Sequence, residues 1–284
     1  MATIRFLRQP PLVRIFLAAE RVLKAATNLH TLFWDEVLCA YTPPPLRETV
    51  NRIIWGKEKN RYLPGGSIFE SGLNAWERRA IAEPPFPQAG RILLGGAGGG
   101  RELIQLCRLG FDVVAFEPSD LCEGARQAIS PFPNSVVVRA SYRDLVTAAV
   151  EHTGPLAPHV LNAPFDAVLF GWGSFNYVFT ELDRRELLCA TLAIAPKAPL
   201  LLSFMMSPDT GNRRLDRLRP PIRRICKLLG APAVRRPGDT FASYTGFVHE
   251  LTLDEIRAAA CGAGYRILYF RPFALYPHAM LMPQ

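Results

Sequence analysis

A chain of 284 residues, 49% hydrophobic and 20% charged, is long enough for one large α/β domain with additions or for two small domains, and its composition excludes a disordered chain. Its formal charge of +8 attracts acidic partners, whether nucleic acid, anionic lipid or an acidic substrate, without choosing among them. No uninterrupted apolar stretch approaches the roughly 20 residues that cross a bilayer, because Arg5, Arg8, Arg14, Glu20, Arg21 and Lys24 interrupt the greasy start.

That start has no apolar core followed by a small-residue cleavage site, although its arginines superficially imitate a transit peptide, so the reading favoured is a mature cytoplasmic protein. From Leu12 to Val37 apolar residues recur at helical spacing and predict one long amphipathic helix, stopped by Pro43, Pro44 and Pro45. Packing against the rest of the chain is its ordinary use; partner or membrane-surface binding is the other. A second helical stretch runs from about Leu46 to Trp55, a loop from Tyr62 to Gly66 follows, and a third helix spans about Gly72 to Ala82 before the prolines at 84, 85 and 87. Residues 1–87 therefore read as an N-terminal helical cap on the substrate side of a main domain at 88–284.

The middle of the chain alternates short apolar or β-branched runs with helical patterns. Candidate strands are Arg91 to Gly95, Val113 to Glu117, Val136 to Arg139, Ala167 to Phe170 and Leu200 to Phe204. That order predicts an α/β fold with a doubly wound, mostly parallel sheet whose ligand lies beyond the carboxyl ends of its strands. A basic insert near 205–245 follows, with Arg213, Arg214, Arg217, Arg219, Arg223, Arg224, Lys227, Arg235 and Arg236 against Asp216; it is read as a substrate-side lid favouring an anionic substrate, or else as a solvated face. Thr252-Leu253-Asp254-Glu255 has the form of a capping box opening a last helix, and strands at Tyr265 to Phe270 and about Ala279 to Met282 close the sheet. The six cysteines stand apart, with no CxxC pair and no histidine at ligand spacing, so no metal site is expected.

The segment Arg91-Ile-Leu-Leu-Gly-Gly-Ala-Gly-Gly-Gly-Arg-Glu-Leu103 is a strand, a glycine loop and a helix start. Gly96, Gly98 and Gly100 form a GxGxG pattern around Ala97, where the backbone turns tightly and approaches a ligand whose anionic group the following helix amides can receive. Glu117, 21 positions after Gly96 and followed by Pro118, ends the next strand where an acid accepts from ribose hydroxyls. A dinucleotide site needs Gly or Ala at the sixth position of this loop, and here that position is Arg101.

On these motifs the chain is similar to class I, Rossmann-like methyltransferases that use S-adenosylmethionine, over about residues 88 to 284. The resemblance implies a seven-stranded sheet and S-adenosyl-L-methionine as cofactor. It places the adenine by Ser141, through its hydroxyl or amide, and by the ring of Tyr142. It puts cofactor and substrate contacts in the loop containing Gly171, Trp172, Asn176 and Tyr177, and it allows Tyr62 to fold over the cofactor. Leu94 departs from the pattern, since relatives often carry an acid there beside the methionyl ammonium; backbone carbonyls or the cap would have to replace it. The implied reaction is in-line methyl transfer, in which positioning does most of the work and a base is optional. His249, with Tyr177 and Asn176, is the catalytic candidate, and packing or turn formation is the alternative for each.

Three functions stay open at this stage. The leading one is methyl transfer to an O or N nucleophile of a small molecule, in the manner of specialised metabolism. The others are a nucleic-acid, especially RNA, methyltransferase, and a cofactor-binding or scaffold protein without transfer activity. The sequence does not determine the oligomeric state.

Overall fold

The computed structural model describes residues 11–57, 59–207, 217–233 and 235–284. By internal contacts the chain divides into two compact units, the described parts of Met1–Pro43 with Thr210–Arg235, and of Pro44–Asp209 with Arg236–Gln284. By contacts the units meet at residue 43, and the basic insert near 205–245 is divided between them. Arg213, Arg214 and Asp216 lie outside the described residues.

The first unit is helical. Helix α1 runs from Pro11 to Tyr41, four residues beyond the predicted Val37. Helix α11, Arg219–Leu228, packs with it in the same unit. Ion pairs join them, beside buried Leu32, Cys39 and Cys226. Asp35 and Glu36 are buried, and Arg219, Arg223 and Arg235 converge on them, with Arg223 Nε 2.7 Å and Arg235 Nη1 2.5 Å from Glu36. Arg219 and Arg235 each reach Asp35 at 2.8 Å. Burial alone would raise the Glu36 carboxyl; hydrogen bonds from Arg223 and Arg219 and the charge of Arg235 override it and hold it below the usual range. Three of the arginines expected to serve a lid are thus ion-pair partners inside their own unit.

The second unit begins with α2 (Pro44–Lys57), α3 (Lys59–Tyr62), α4 (Ser67–Glu70) and α5 (Ala75–Ala82). The α/β alternation follows: β1 (Arg91–Gly95), α6 (Arg101–Arg108), β2 (Asp112–Phe116), α7 (Leu121–Ala128), β3 (Val136–Val138), α8 (Tyr142–Glu151), α9 (Ala157–Val160), β4 (Ala167–Phe170), a 3-10 turn at Ser174–Tyr177, α10 (Glu181–Ile194) and β5 (Leu200–Ser203). It ends with β6 (Asp239–Ala242), β7 (Gly246–His249), α12 (Leu253–Gly262), β8 (Tyr265–Arg271) and β9 (His278–Pro283).

Seven strands form one sheet in the order β3-β2-β1-β4-β5-β9-β8, with β1 parallel to both β2 and β4, and β9 antiparallel to β5 and β8. The α/β expectation and all seven strands are present. Because the strands leave β1 in both directions, the carboxyl ends of β1, β2 and β4 surround a crevice, the place where such sheets bind ligands. Alternation divides the core. Leu93, Val114, Phe116, Val168 and Phe170 face one apolar cluster, whereas Ile92, Leu94, Val113, Ala115 and Leu169 face the other. Leu94 is fully buried in that second cluster, among apolar neighbours.

The hairpin β6–β7 was not foreseen. Its two short strands pair antiparallel, Asp239 opposite His249. Helix α2 holds it: Asn51 Nδ2 donates to the Phe247 carbonyl at 2.8 Å, and the Phe247 amide donates to Asn51 Oδ1 at 2.7 Å. Thr252 caps α12 with Glu255 in the predicted capping box.

Candidate active site

A cleft of about 760 Å³ opens at the carboxyl ends of β1, β2 and β4, closed on one side by side chains from α2 to α4. The glycine loop forms its floor, and its glycines differ in what a side chain there would meet. At Gly96, with φ +69°, an added Cβ would lie 2.6 Å from Ser174 Cβ, so this glycine is required by the post-β4 loop. At Gly98, with φ +54°, nothing of the protein stands within 4 Å of the position a Cβ would take. That empty position borders the cleft and suits a ligand lying against the backbone. Gly99 faces the Tyr62 carbonyl, 1.9 Å from a hypothetical Cβ, which brings the α3 turn and Tyr62 to the cleft rim. Gly100, with φ +99°, packs against Ala125 and does not line the cleft; its role is helix packing.

Glu117 projects from the end of β2 into the cleft wall. One carboxylate oxygen accepts from the Gly98 amide at 2.9 Å; the other accepts from the Ser119 amide at 2.9 Å and from its hydroxyl at 2.5 Å. Burial raises its carboxyl above the usual range in spite of these hydrogen bonds. Pro118 and Ala97 line the cleft beside it. A rigid acceptor of this kind, next to open backbone, is suited to hydroxyl groups on a ligand.

Tyr142 forms an aromatic wall, edge-on to Phe116 at 5.3 Å and to Phe170 at 5.0 Å, with its hydroxyl 2.6 Å from Ser174 Oγ. Burial raises its phenol, so the ring serves as a neutral platform. Ser141 lines the cleft, but both groups proposed to read adenine are engaged: its amide donates to Asp144 at 2.7 Å and its hydroxyl at 2.8 Å, in the N-cap of α8. Ser141 thus stands at the cleft wall as the N-cap of α8. A capping serine before a helix resembles a ligand-binding serine in sequence because both occupy strand ends.

Two residues of the site escaped sequence reading except as a steric argument. Arg101 and Glu102, at the start of α6, are buried and line the cleft. Arg101 makes a fork to Glu77, at 2.7 and 2.6 Å, and reaches Glu102 at 2.5 Å and the Gly72 carbonyl at 2.6 Å. Burial disfavours the guanidinium charge, but Glu102 and Glu77 override it and hold Arg101 above its usual value. Glu102 is raised, chiefly by burial and further by the charge of Glu77, against the pull of Arg101. Two carboxyls share one guanidinium. The signal was a charged pair in the first helical turn after a glycine loop, with its carboxylate partner in an earlier helix.

Trp172 stands at φ +32° between Gly171 and Gly173, a conformation rare for a bulky residue. It places the indole 5.1 Å under the Arg101 guanidinium and 6.4 Å from the Tyr62 ring. Gly171 lies close to Glu102, whose Oε1 would be 2.8 Å from a Cβ. Tyr177 lines the cleft edge-on to Trp55 at 4.7 Å, but its hydroxyl donates to the Thr245 carbonyl at 3.1 Å and burial raises its phenol, so it holds its proton. It walls the cleft.

The other two catalytic candidates belong elsewhere. Asn176 is fully buried, donating to the Met205 carbonyl at 2.9 Å and the His249 carbonyl at 2.6 Å and accepting from the Met205 amide at 2.7 Å. It joins β5 to β7. His249 is buried outside the cleft, with Nδ1 2.8 Å from Asp239 and Nε2 2.8 Å from Glu255. Arg47 pairs Asp239 at 2.8 Å and Arg184 pairs Glu255 at 3.1 Å, completing a five-residue ionic chain. Neither ring nitrogen is open to a substrate proton, and the expectation of a general base is withdrawn.

The charge of the cleft opposes that of the chain. Glu48, Glu102, Glu117, Glu151, Asp183 and Glu186 border it, against Arg101 and Arg143.

No protein-family model matches the chain, and no curated protein matches it. Among solved structures it is similar to a TehB-like, S-adenosylmethionine-dependent methyltransferase from Corynebacterium glutamicum, at 14% identity over 77% of this chain and 93% of that one, with a TM-score of 0.48. It is similar to the glycopeptide N-methyltransferase MtfA with S-adenosyl-L-homocysteine, at 20% identity, 73% and 89% coverage and a TM-score of 0.49. A third is the sugar N-methyltransferase KedS8 from a Streptoalloteichus species, at 17% identity, 74% and 85% coverage and a TM-score of 0.49. At such values the functional reading rests on the site itself.

Proposed function

We propose that the chain is an S-adenosylmethionine-dependent methyltransferase acting on a nitrogen of a small, amine-bearing molecule, as in specialised metabolism. The observation that carries this reading is the open Gly98 backbone beside the fixed Glu117 carboxylate at the switch point of the sheet. S-Adenosylmethionine would supply an activated methyl group on a sulfonium. The residues that would hold it are Gly96 to Gly98 under its chain, Glu117 at the ribose, Tyr142 beside the adenine and Glu102 at the methionyl ammonium in place of the acid missing at Leu94. Trp172, Tyr62 and Gly171 border the same space, while Trp55 and Tyr177 give the acceptor an aromatic wall that limits water. The acidic border favours an amine over a phosphate or carboxylate substrate. Arg219, Arg223 and Arg235, which motivated a nucleic-acid substrate, are already paired with acids.

Calorimetric titration tests the reading: S-adenosylmethionine or S-adenosylhomocysteine should bind at micromolar scale and a nicotinamide dinucleotide should not. Glu117→Ala should weaken binding by about ten- to a hundredfold, since a hydrogen bond to a charged group is worth about 1.5 to 3 kcal/mol. Methyl transfer to pools of small amines, in preference to acidic metabolites or RNA, would extend it to the substrate. Saturation by a dinucleotide with no response to either methyl-cycle ligand would overturn it.

A further inference from the structure

The N-terminal helix has a role that the cleft does not absorb. From Leu12 to Thr31 every residue of α1 except Leu17 is exposed, although the helix is 31 residues long. The exposed set includes side chains that ordinarily fill cores: Leu12 is 79% exposed, Phe16 66%, Val22 70% and Leu23 69%. Isolated helices gain little from propensity alone, so a helix exposed this far along calls for a partner for its apolar side.

The pattern of residues specifies the partner. Leu12, Phe16, Ala19, Leu23, Ala26 and Phe33 follow one another at spacings of three, four and seven, and Ile15, Val22 and Leu29 widen the same face at intervals of seven. This is broader than the two-position seam of a coiled coil, and one flank of such a seam, Ile15, Val22 and Leu29, is apolar where charges normally choose a protein partner. The opposite side carries Arg14, Arg21 and Lys24 with one acid, Glu20. The sequence adds Arg5 and Arg8 just before the helix. Helix α11 of the same unit repeats the combination, with Ile225 and Leu228 exposed beside Arg224 and Lys227. A wide apolar face with a basic polar face is the composition of a helix that lies in a lipid–water interface, with its cations at the headgroups. A nucleic-acid surface would use the cations and leave the apolar face uncovered.

We propose that α1 is a membrane-surface anchor, which lays its apolar face into an anionic bilayer without crossing it. Among the described residues no helix is long and apolar enough to span one.

The full-length protein would be sedimented with vesicles of phosphatidylcholine, alone or mixed with phosphatidylglycerol. The result expected is partition into the mixed vesicles on the order of tenfold or more above the neutral ones, since each basic residue near an anionic surface contributes about 1 kcal/mol. Phe16→Glu with Leu23→Glu changes exposed side chains, so the thermal unfolding curve should be unchanged while partition falls by about a hundredfold. Arg14→Glu with Arg21→Glu should remove the preference for anionic lipid. The proposal is overturned if the protein stays in the supernatant of both vesicles, or if the Phe16→Glu, Leu23→Glu variant partitions like the parent. A dimer in sedimentation equilibrium without lipid, lost in that variant, would assign the face to a second copy instead.

Discussion

Glu102 and the loop glycines show how single residues divide stability from binding. Glu102 shares one guanidinium with Glu77 in a buried recess, and burial raises its carboxyl. A carboxyl raised in the folded state contributes stability fully present below its unfolded value and lost as pH rises through the folded one. A ligand ammonium beside Glu102 would favour its ionised form. Glu102→Gln is expected to leave the thermal midpoint of the ligand-free protein unchanged or higher while weakening S-adenosylmethionine by about ten- to a hundredfold, read by thermal shift and calorimetry. A lower midpoint with unchanged affinity would make Glu102 structural. The glycines give a paired test. Gly96→Ala meets Ser174 and should lose several kcal/mol, with poor yield of folded protein, whereas Gly98→Ala meets no protein atom and should cost about 1 to 2 kcal/mol for its left-handed backbone. Only the second should give a folded protein whose cofactor affinity falls more than its stability, as measured by urea unfolding alongside titration.

At the scale of elements, the hairpin β6–β7 depends on the ionic chain through His249. Asp239 is held below the usual carboxyl range: burial would raise it, and the hydrogen bonds with His249 and Arg47 prevail. Glu255 behaves likewise, its burial offset by the Thr252 amide and by His249. Such groups give stability present above their unfolded values, about pH 4, and lost as pH falls through their native ones. His249→Ala leaves two carboxylates without their shared partner and is expected to destabilise the fold by about 3 to 5 kcal/mol at pH 7, with a shallower loss of stability in acid than the parent. Denaturant titrations between neutral and acid pH would show both effects; unchanged stability with a hundredfold loss of turnover would restore His249 as a base.

The same elements show what was legible beforehand. Strands such as Ile92 to Leu94 and Val168 to Phe170 are continuous apolar runs with turn residues at both ends, and the structure places them within a residue of the reading. Residues 239–249 escaped because their stability comes from Arg47 and Asn51, nearly two hundred positions earlier. The glycine loop and Glu117 were legible because local backbone conformation fixes their place. Asn176 and His249 resemble catalytic residues in sequence for one common reason: residue type and a strand-end position do not reveal which hydrogen bonds are already made.

At the scale of the molecule, the net charge of +8 is divided between a chain surface rich in cations and a cleft bordered mainly by acids. Some of the cations are internal to the helical unit, where Glu36 takes three of them. Glu36→Ala would leave those guanidinium groups facing one another around Asp35. The expected result is loss of hydrogen-exchange protection over residues 32–41 and 219–233, with the central sheet protected as in the parent. Equal loss throughout both units would show that they unfold as one.

That ion-pair cluster also orders events during synthesis. Glu36 and Arg235 are 199 positions apart in sequence. At about 5 to 20 residues per second, translation separates their appearance by about 10 to 40 s. Until Arg219 is made, 183 positions after Glu36, the acids of α1 wait without their cations, and the apolar side chains from Leu12 onward leave the ribosome before then. The sheet strands, made in between, can pair before the first helix is secured. A bilayer, if it receives that helix as proposed, would have its first opportunity to do so before the chain is finished.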